Sequence, residues 1–402
     1  MIDRKRVVGH GGKAAKGMPL GIKLDIDAQL SRYASKHADA IRPEGKLSPD
    51  SSRTEYERDY HRILFSLAFR RLRHKTQVFY APENDHICTR MEHSLQVASI
   101  ADTVCRNLSL NSDLANAIAL GHDLGHAPFG HTGEKALKDL CTEEGLPPFT
   151  HEAHSLRVVD KMKELHGETL KLTYQVRDGI VCHCGEEHEM EIKPDKDKNL
   201  TSIDTTSAGG HQKPFTLEGC VVRYADRVAY LPVDLQDALE LKVVKERNVP
   251  PGVRRILGID SGEMIGRITE DIISSSKNQP FIATSKTIFE SLTELYEFSK
   301  VRIYQCDHLK NQQVRITKLL KDLFNDLKAV YERTEQGQNQ KLRKNFREKT
   351  YQVFFKFLDD MQYDEETPSA QPIIDFIAGM TDNFALKAYQ EIFLSIPMPL
   401  MQ

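Results

Sequence analysis

Histidine is concentrated in one part of this 402-residue chain. Twelve of the sixteen histidines lie between His61 and His188, where an even spread would place about five. Within this window the adjacent pair His122 and Asp123 lies near the end of an apolar segment, residues 114–124. Burial of an ionisable pair is costly unless a partner compensates, and a divalent metal ion is the strongest compensator. Taken alone, the pair is equally compatible with a structural His–Asp hydrogen bond.

Two further residues complete a candidate set of metal ligands. His93 lies on what periodicity predicts to be the preceding helix, and Asp226 lies in a later helical segment between apolar residues. Two imidazoles and two carboxylates suit a hard or borderline divalent ion, with Mn, Mg, Fe, Co, Ni and Zn as candidates. Without an ion, Asp123 and Asp226 would lie close together with both ionised, which is unfavourable.

A second group of residues could perform general acid–base chemistry. His126 follows His122 by one helical step, and the glycines and proline after it favour a loop that turns His131 back towards the metal. Glu134 follows His131 by three residues, so it can orient the imidazole. His151 begins another predicted helix, next to an acidic neighbour. Any one of these histidines alone is more often an ordinary core or surface residue, and it is their density that predicts a site.

The elements that must position these residues are predicted to be helices. A helical period starts at Glu55, and a second helix places Leu95 on its apolar stripe. The third helix, 114–124, is apolar nearly all round, which predicts a buried central helix. The remainder, from residue 241 to 402, carries helical stripes and no internal repeat. The predicted fold class is therefore all-α, with a helical core and a helical C-terminal lobe.

Composition shifts divide the chain into three predicted parts. Residues 1–50 are expected to form a partly flexible arm, because six of the first 23 residues are Lys or Arg and the pattern lacks apolar periodicity. Residues 51–240 form the predicted core and 241–402 the C-terminal lobe. Within the core, residues 186–214 are polar and long enough to be a lid or an insertion.

Composition also limits the partners and the compartment. The formal net charge is -3, so no overall basic surface attracts nucleic acid or an anionic membrane. Seven cysteines form no even framework, which favours a reduced, cytoplasmic setting. The N-terminus lacks the apolar core of a signal peptide, and no run of about 18 apolar residues predicts a membrane span. We therefore expect a cytoplasmic protein with no membrane partner.

Several joined motifs resemble one family, the HD-domain nucleotide hydrolases, and specifically the dGTPase-like deoxynucleoside triphosphate triphosphohydrolases. The resemblance covers roughly residues 50–240 and exceeds the short H…HD…D skeleton. It includes RDYHRILFS at 58–66, FRRLRHKTQVF at 69–79, TRMEHSL at 89–95, GHDLGHAPFGHTGE at 121–134, SLR at 155–157 and LEG at 217–219 before Asp226. The resemblance implies an all-α HD-domain core that hydrolyses a deoxynucleoside triphosphate to deoxynucleoside and tripolyphosphate, with dGTP or a broader dNTP range as substrate.

The resemblance also implies a role for each matching residue. The metal ligands would be His93, His122, Asp123 and Asp226, with Mn or Mg as the favoured ion. The catalytic histidine would be His131, supported by Glu134, with His126 and His151 lining the same phosphate site. Arg90 and Arg227 would bind phosphate. Tyr230 and Asp234 would hold the sugar ring and its 3′-hydroxyl, and the tyrosine ring would exclude a 2′-hydroxyl.

Some features depart from the family pattern. Pro232 precedes Asp234 where relatives carry a different tripeptide, and a proline is expected to kink that helix. The cluster Cys182-His183-Cys184 with His188 resembles a zinc site, but a C-x-C pair alone closes no tetrahedral site. The other histidines of the window are expected to be ordinary core or surface residues; they are His61, His74, His86, His154, His166, His183 and His188.

Other interpretations remain open from the sequence. The HD site could act on a monophosphate, an alarmone or a cyclic nucleotide. The chain could also be a dNTP-sensing or single-strand-binding oligomer with little turnover, and the basic cluster 341–347 could bind single-stranded nucleic acid, although such clusters are usually solvated helix faces. Members of this family assemble into symmetric homo-oligomers with dNTP effector sites at the interfaces. The resemblance therefore implies a tetramer or hexamer of this chain and a dNTP effector as a binding partner.

Overall fold

The structure is a computed structural model. It describes residues 26–43, 50, 52–80, 86–164, 167–184, 189–201, 203, 212–336 and 340–394. The α-helices are α1 Glu55–Leu64, α2 Leu67–Leu72, α3 Arg90–Leu108, α4 Ser112–Gly121, α5 Gly130–Glu143, α6 His151–Lys161, α7 Tyr174–Val181, α8 Leu217–Glu240, α9 Pro251–Ile256, α10 Ser261–Ser276, α11 Lys286–Arg302, α12 Asp307–Tyr331, α13 Lys349–Met361, α14 Gln371–Ala378 and α15 Asp382–Phe393.

Strands are few and short in the described part of the chain. β1, Glu191–Ile192, pairs with β2, Ile282–Ala283, in an antiparallel ribbon. Short 3₁₀ helices are described at His37–Asp39, Glu246–Asn248 and Gln340–Asn345, and a π-helical turn, Glu332–Gln336, follows α12. The predicted all-α fold class is confirmed.

The starts of the site-bearing helices are determined locally by side-chain caps. α3 begins after Thr89, whose hydroxyl caps the helix while Glu92 completes a capping box. α6 begins after Thr150 and α8 after Thr216, and each threonine accepts a hydrogen bond from a backbone N–H of the first turn. These caps fix the starts of the helices that carry His93, His151 and Asp226.

The central helix of the first core is α4. Its residues Leu114, Ala115 and Ile118 are fully buried, as the sequence pattern predicts for a helix apolar nearly all round. It packs against α1, α3, α7 and α8. This arrangement surrounds the end of α4, where the His–Asp pair lies.

The described N-terminal segment 26–43 lies against this core. Asp27 accepts hydrogen bonds from the backbone of His37 and Ala38, and Arg42 forms an ion pair with the buried Asp59, 2.6 Å away. Residues 1–25, in the predicted arm, lie outside the described residues.

A second apolar core joins α5 to α12–α15. Its fully buried members include Leu137, Leu320, Phe354 and Ile373. The first core includes residues of α8–α11, so it contains residues from both sides of position 240. Of the C-terminal helices, α12 and α14 pack directly on α5, the helix that carries His131 and Glu134.

Candidate metal centre and nucleotide pocket

The His–Asp pair lies in a tight turn after α4. His122 follows the last helical residue, and the turn ends at Gly125. Ser155 of α6 holds this turn, because its hydroxyl donates to the His122 carbonyl at 2.7 Å and accepts from the Gly125 N–H at 2.8 Å. A Cβ at position 125 would lie 2.0 Å from the Ser155 nitrogen, so only glycine fits there. The motif's spacing therefore reflects close packing of α6 on the turn.

The four predicted ligands come together in the structure. His93 Nε2 lies 2.9 Å from Asp226 Oδ1, and His122 Nε2 lies 3.8 Å from the same oxygen. His122 Nε2 is also 3.3 Å from Asp123 Oδ1. Three helices, α3, α4 and α8, thus bring two imidazoles and two carboxylates to one point.

The donor set fits a divalent cation. His122 Nδ1 is 2.7 Å from the Ala119 carbonyl oxygen, which can only accept, so Nδ1 carries the proton and Nε2 carries a lone pair. That Nε2 is buried without a hydrogen-bond partner, and it faces the carboxylate oxygens of Asp123 and Asp226. Converging acceptors are unfavourable unless a cation lies between them. The Ala119 carbonyl also orients the imidazole as a ligand.

The charges at this point are those a metal centre requires. Burial opposes ionisation of Asp123, but His122, His126 and Arg90 outweigh it and hold the pKa of this carboxyl well below its usual value. Burial likewise opposes ionisation of Asp226, and its contact with His93 lowers the pKa to about 2. Burial lowers the pKa of His122, which keeps the imidazole neutral. Asp123 and Asp226 therefore supply two anionic ligands at pH 7 and His122 a neutral one, whereas the hydrogen bond and charge of Asp226 outweigh burial and raise the pKa of His93.

The predicted acid–base residues form a chain beside the metal ligands. The rings of His126 and His151 stack with centroids 3.9 Å apart, and His126 Nε2 lies 3.3 Å from Asp123 Oδ1. Glu134 accepts from the backbone N–H of His151 at 2.8 Å and from its Nδ1 at 2.9 Å. His131 Nδ1 lies 3.5 Å from the other oxygen of Glu134, and its side chain is 77% exposed at the cavity rim.

The carboxyl of Glu134 is ionised in this arrangement. Burial raises its pKa, but the charges and hydrogen bonds of His151 and His131 outweigh burial and hold the pKa well below the usual value. One carboxylate therefore bridges a buried and an exposed imidazole, which is an arrangement suited to orienting both rings.

Two arginines present positive charge to the same cavity. Arg90 is buried, and its guanidinium donates to Asp123 at 2.8 Å. Arg227 also lines the cavity, and its Nε and Nη2 atoms are buried without a hydrogen-bond partner in the described residues. Burial lowers the pKa of Arg227, although a guanidinium remains charged. An unpaired buried guanidinium favours an anionic ligand.

The far end of the cavity carries the predicted sugar residues on α8. Tyr230 and Asp234 both line it, and α8 continues through Pro232 as one helix. Asp234 accepts a hydrogen bond from the Tyr304 hydroxyl at 2.8 Å. Burial raises the pKa of Asp234 to about 7. Tyr304, which follows α11, was not singled out in the sequence.

Apart from His122 and Glu134, the predicted site residues line one cavity of about 400 Å³. Several of its lining residues were not predicted from the sequence. They are Gln77, Val78, His183, Cys184, Glu189, Ile192, Arg223, Tyr224, Tyr296 and Tyr304. Gln77 lies in the motif at residues 69–79 that resembles the family, and His183 and Cys184 lie in the Cys182-His183-Cys184 cluster. Both segments thus carried a sequence signal that could have placed these residues in the site.

His183, which was expected to be an ordinary core or surface histidine, is buried and lines the cavity. Its ring centroid lies 4.8 Å from that of His122, and its Nε2 is 3.3 Å from His151 Nε2. His154 does have a structural role, because its Nδ1 donates to the Gly125 carbonyl at 2.9 Å. His166 and His188 lie outside the described residues.

The apolar stripe predicted for α3 is mostly buried, but Leu95 is not part of the buried face. Leu95 is 47% exposed, whereas Ala98, Ala101 and Val104 of the predicted stripe are buried, as is His93. The helix turns His93 inward, which carries Leu95 outward because the two residues are separated by about 200° of helical rotation.

The C-terminal lobe holds the loop that carries His126. Lys75, fully buried, donates to the carbonyls of His126 and Ala378. Asp382, at the start of α15, accepts from the Phe129 N–H at 2.8 Å and the Thr76 N–H at 2.9 Å. The loop is thus tied to α14 and α15 by two buried charged groups.

The polar segment 186–214 is only partly described. Within it, β1 is paired with β2, and the Asp195 N–H donates to the Pro214 carbonyl at 2.8 Å. Glu189 and Ile192 line the cavity. Most of the stretch from 202 to 211 lies outside the described residues. Across the described helices, none combines the length and apolar character needed to span a membrane.

Comparisons with known proteins identify the family of the chain. Residues 90–231 match the HD domain family, and residues 282–391 match the phosphohydrolase-associated domain. A deoxyguanosinetriphosphate triphosphohydrolase-like protein of Caldanaerobacter subterraneus is 37% identical over 92% of this chain and 93% of its own length. A protein of the same description from Desulfatibacillum aliphaticivorans is 38% identical over 94% of this chain and 97% of its own.

A solved structure, described as a hypothetical protein from Aquifex aeolicus, covers 75% of this chain and 70% of its own at 19% identity, with a TM-score of 0.41.

The fold and the H…HD…D site define an HD-domain phosphohydrolase. The chain belongs to the deoxyguanosinetriphosphate triphosphohydrolase-like family of nucleotide triphosphohydrolases.

Proposed function

We propose that this protein is a metal-dependent hydrolase that cleaves deoxynucleoside triphosphates to deoxynucleoside and tripolyphosphate. One observation carries the proposal: Asp123 and Asp226, whose oxygens converge on His122 Nε2, line the same cavity as Arg227, whose Nε and Nη2 atoms have no hydrogen-bond partner among the described residues. A cation-requiring centre next to an anion-seeking arginine fits a polyphosphate whose charge is partly neutralised by metal. The printed names of the relatives support the nucleotide class.

The residues that would hold the ion are His93, His122, Asp123 and Asp226. When bound there, a divalent ion, with Mn or Mg favoured, supplies Lewis acidity that stabilises negative charge developing on the α-phosphate. Arg90 already contacts Asp123, so its guanidinium lies at the edge of the same centre. It can therefore donate to a phosphate oxygen held beside Asp123.

His131 and Glu134 are proposed to guide the attacking water. Glu134 is ionised and lies 3.5 Å from His131 Nδ1, so it can orient the ring and favour a basic Nε2. His131 is exposed at the rim, whereas His126 and His151 are buried inside the cavity. His131 is therefore placed to take a proton from water, and the inner pair to contact the phosphate. The bond that breaks joins the α-phosphorus to the nucleoside 5′-oxygen.

The deoxyribose is proposed to lie against Tyr230 and Asp234. Both residues belong to α8, which also carries Asp226, so sugar and metal are held by one rigid element. Asp234 can accept a hydrogen bond from the 3′-hydroxyl, and the ring of Tyr230 would occupy the space that a 2′-hydroxyl needs. Discrimination of this kind rests on exclusion by a buried side chain.

The test is the identity of the products. The protein is incubated with each dNTP and with GTP, with Mn²⁺ or Mg²⁺, and the products are separated by ion-exchange chromatography. We expect deoxynucleoside and tripolyphosphate, and little turnover of GTP. Formation of dNMP with pyrophosphate, or of dNDP with phosphate, would refute the proposal. Mixtures of two dNTPs would reveal an activating nucleotide as turnover absent from the single-substrate reactions.

A further inference from the structure

Three side chains converge on one wall of the cavity, and one of them, His151, is shared with the proposed phosphate site. They are His151 of α6, and His183 and Cys184 just after α7. His151 Nε2 lies 3.3 Å from His183 Nε2 and 3.4 Å from Cys184 Sγ, and all three atoms lie within 4.8 Å of one another. His183 and Cys184 are not needed to explain the HD metal centre or the proposed hydrolysis.

Both imidazoles turn Nε2 towards this point, and that of His183 carries a lone pair. His183 Nδ1 is 2.6 Å from the Ile180 carbonyl oxygen, so it must donate and leave Nε2 as an acceptor. His151 Nδ1 likewise faces an acceptor, the Glu134 carboxylate, at 2.9 Å. Two Nε2 lone pairs 3.3 Å apart repel each other unless they share a cation. That cation is either a proton or a metal ion.

Two of the three separations between the ligand atoms match a tetrahedral metal ion. With Zn–N bonds of about 2.05 Å and a Zn–S bond of about 2.3 Å, tetrahedral angles place two nitrogens about 3.3 Å apart and nitrogen and sulfur about 3.6 Å apart. The observed separations are 3.3 Å and 3.4 Å. The contact of His151 with Glu134 is also the carboxylate–histidine pairing that commonly supports a zinc ligand.

We propose that His151, His183 and Cys184 form a second metal site, which binds a thiophilic divalent ion such as Zn²⁺ or Cd²⁺. The three ligands all line the cavity, so the fourth coordination position faces it and is open to water or a phosphate oxygen. Thiolate and imidazole ligands select this class of ion, whereas the carboxylate-rich HD centre suits harder ions. The chain therefore carries two neighbouring centres of different ligand preference.

The adjacent cysteine provides a matched control. Cys182 Sγ lies 3.3 Å from Lys198 Nζ and 3.8 Å from Asp178 Oδ1, and it is not among the residues lining the cavity. Replacement of Cys182 by serine should therefore leave the second site intact, whereas Cys184→Ser should remove its only sulfur ligand. His183→Gln removes a nitrogen ligand and leaves both thiols in place.

The experiment uses the full-length protein loaded with Mn²⁺ and titrated with Cd²⁺. The ultraviolet thiolate-to-cadmium charge-transfer band is recorded, and bound metal is counted by equilibrium dialysis. We expect a band that saturates at one equivalent in the wild type and in Cys182→Ser, and no band in Cys184→Ser. The His183→Gln variant should bind Cd²⁺ at least about tenfold more weakly, because even loss of an outer partner commonly costs that much.

Cadmium that displaces Mn²⁺ from the HD centre gives no such band, because the predicted ligands there include no sulfur. Helical circular dichroism and Mn²⁺ content show whether each variant is folded. If Cys184→Ser is not folded, the Cd²⁺ affinity of His183→Gln decides the outcome. No band in the wild type would mean that only a proton joins the two imidazoles, and would overturn the proposal. A band that survives Cys184→Ser, or disappears in Cys182→Ser, would overturn it as well. None of these outcomes depends on hydrolysis.

Discussion

Asp234 gives a quantitative prediction about pH. Its side chain is 2% exposed, and burial raises its pKa from 3.8 to about 7, with the Tyr304 hydrogen bond acting in the opposite direction and Asp237 adding to the rise. Between pH 3.8 and 7 the folded protein keeps the proton and the unfolded chain releases it. The free energy of unfolding must therefore fall as pH rises through that window, by about 1.4 kcal/mol per unit.

Replacement of Asp234 by asparagine removes this dependence. Between pH 5 and pH 8, the two units from pH 5 to pH 7 fall inside this window, so wild type should lose about 3 kcal/mol of unfolding free energy that Asp234→Asn does not lose. The stability of the variant relative to wild type should therefore rise by about 3 kcal/mol over this pH range. The assay is urea unfolding of chelator-treated protein at pH 5, 6.5 and 8, followed by circular dichroism. Chelation matters because a bound cation would lower the pKa of a nearby carboxyl.

Asp237→Asn is the matched control on the same helix. The pKa of Asp237 is raised by burial only to about 6, so its pH-dependent change should be smaller and complete at lower pH. A constant difference in unfolding free energy between Asp234→Asn and wild type from pH 5 to pH 8 would refute the argument.

Asp234→Ala should also keep the HD metal and chiefly weaken dNTP binding, seen as a raised KM.

Three further predictions concern the metal, the loop and the packing. His122→Ala should lose both the HD metal, measured by elemental analysis, and turnover; retained metal would contradict its role as ligand. Asp382→Asn should lower the unfolding free energy by about 1–3 kcal/mol and reduce turnover at unchanged metal content, because an NH₂ group replaces one of the two carboxylate oxygens and leaves either the Phe129 N–H or the Thr76 N–H without its acceptor; unchanged turnover would argue against loop positioning. Gly133→Ala should sharply reduce thermal stability because its Cβ would lie 1.8 Å from the Pro128 carbonyl oxygen, whereas Gly266→Ala, with no atom nearby, should not.

The fold class and family were predictable from the sequence because their signals are local. The apolar run in α4 predicts a buried helix, and the His122–Asp123 pair at its end predicts a buried polar centre. The exact end of that helix was not predictable. It stops at Gly121 and passes into a turn held by Ser155, which is 33 residues away in the sequence and reaches the turn only through tertiary packing.

The same reasoning explains what was missed at the site. His183 reaches His151 because α7 packs beside α4 and α6, and no spacing in the sequence reports that contact. Tyr304 meets Asp234 across 70 residues. The support from Asp382 to the loop before α5 spans 253 residues and depends on how the C-terminal helices pack. Motif spacing thus predicts which residues lie together when they share a helix or turn. Contacts between helices that are distant in the sequence can be identified only from the folded structure.

The proposed attack at the α-phosphorus can be tested directly with isotopically labelled water. The protein is incubated with a dNTP and Mn²⁺ in H₂¹⁸O, and both products are analysed by mass spectrometry. Attack at phosphorus with departure of the 5′-oxygen places one ¹⁸O in tripolyphosphate and none in the deoxynucleoside. Label in the deoxynucleoside 5′-hydroxyl, or in a monophosphate or free phosphate product, would contradict the proposed function.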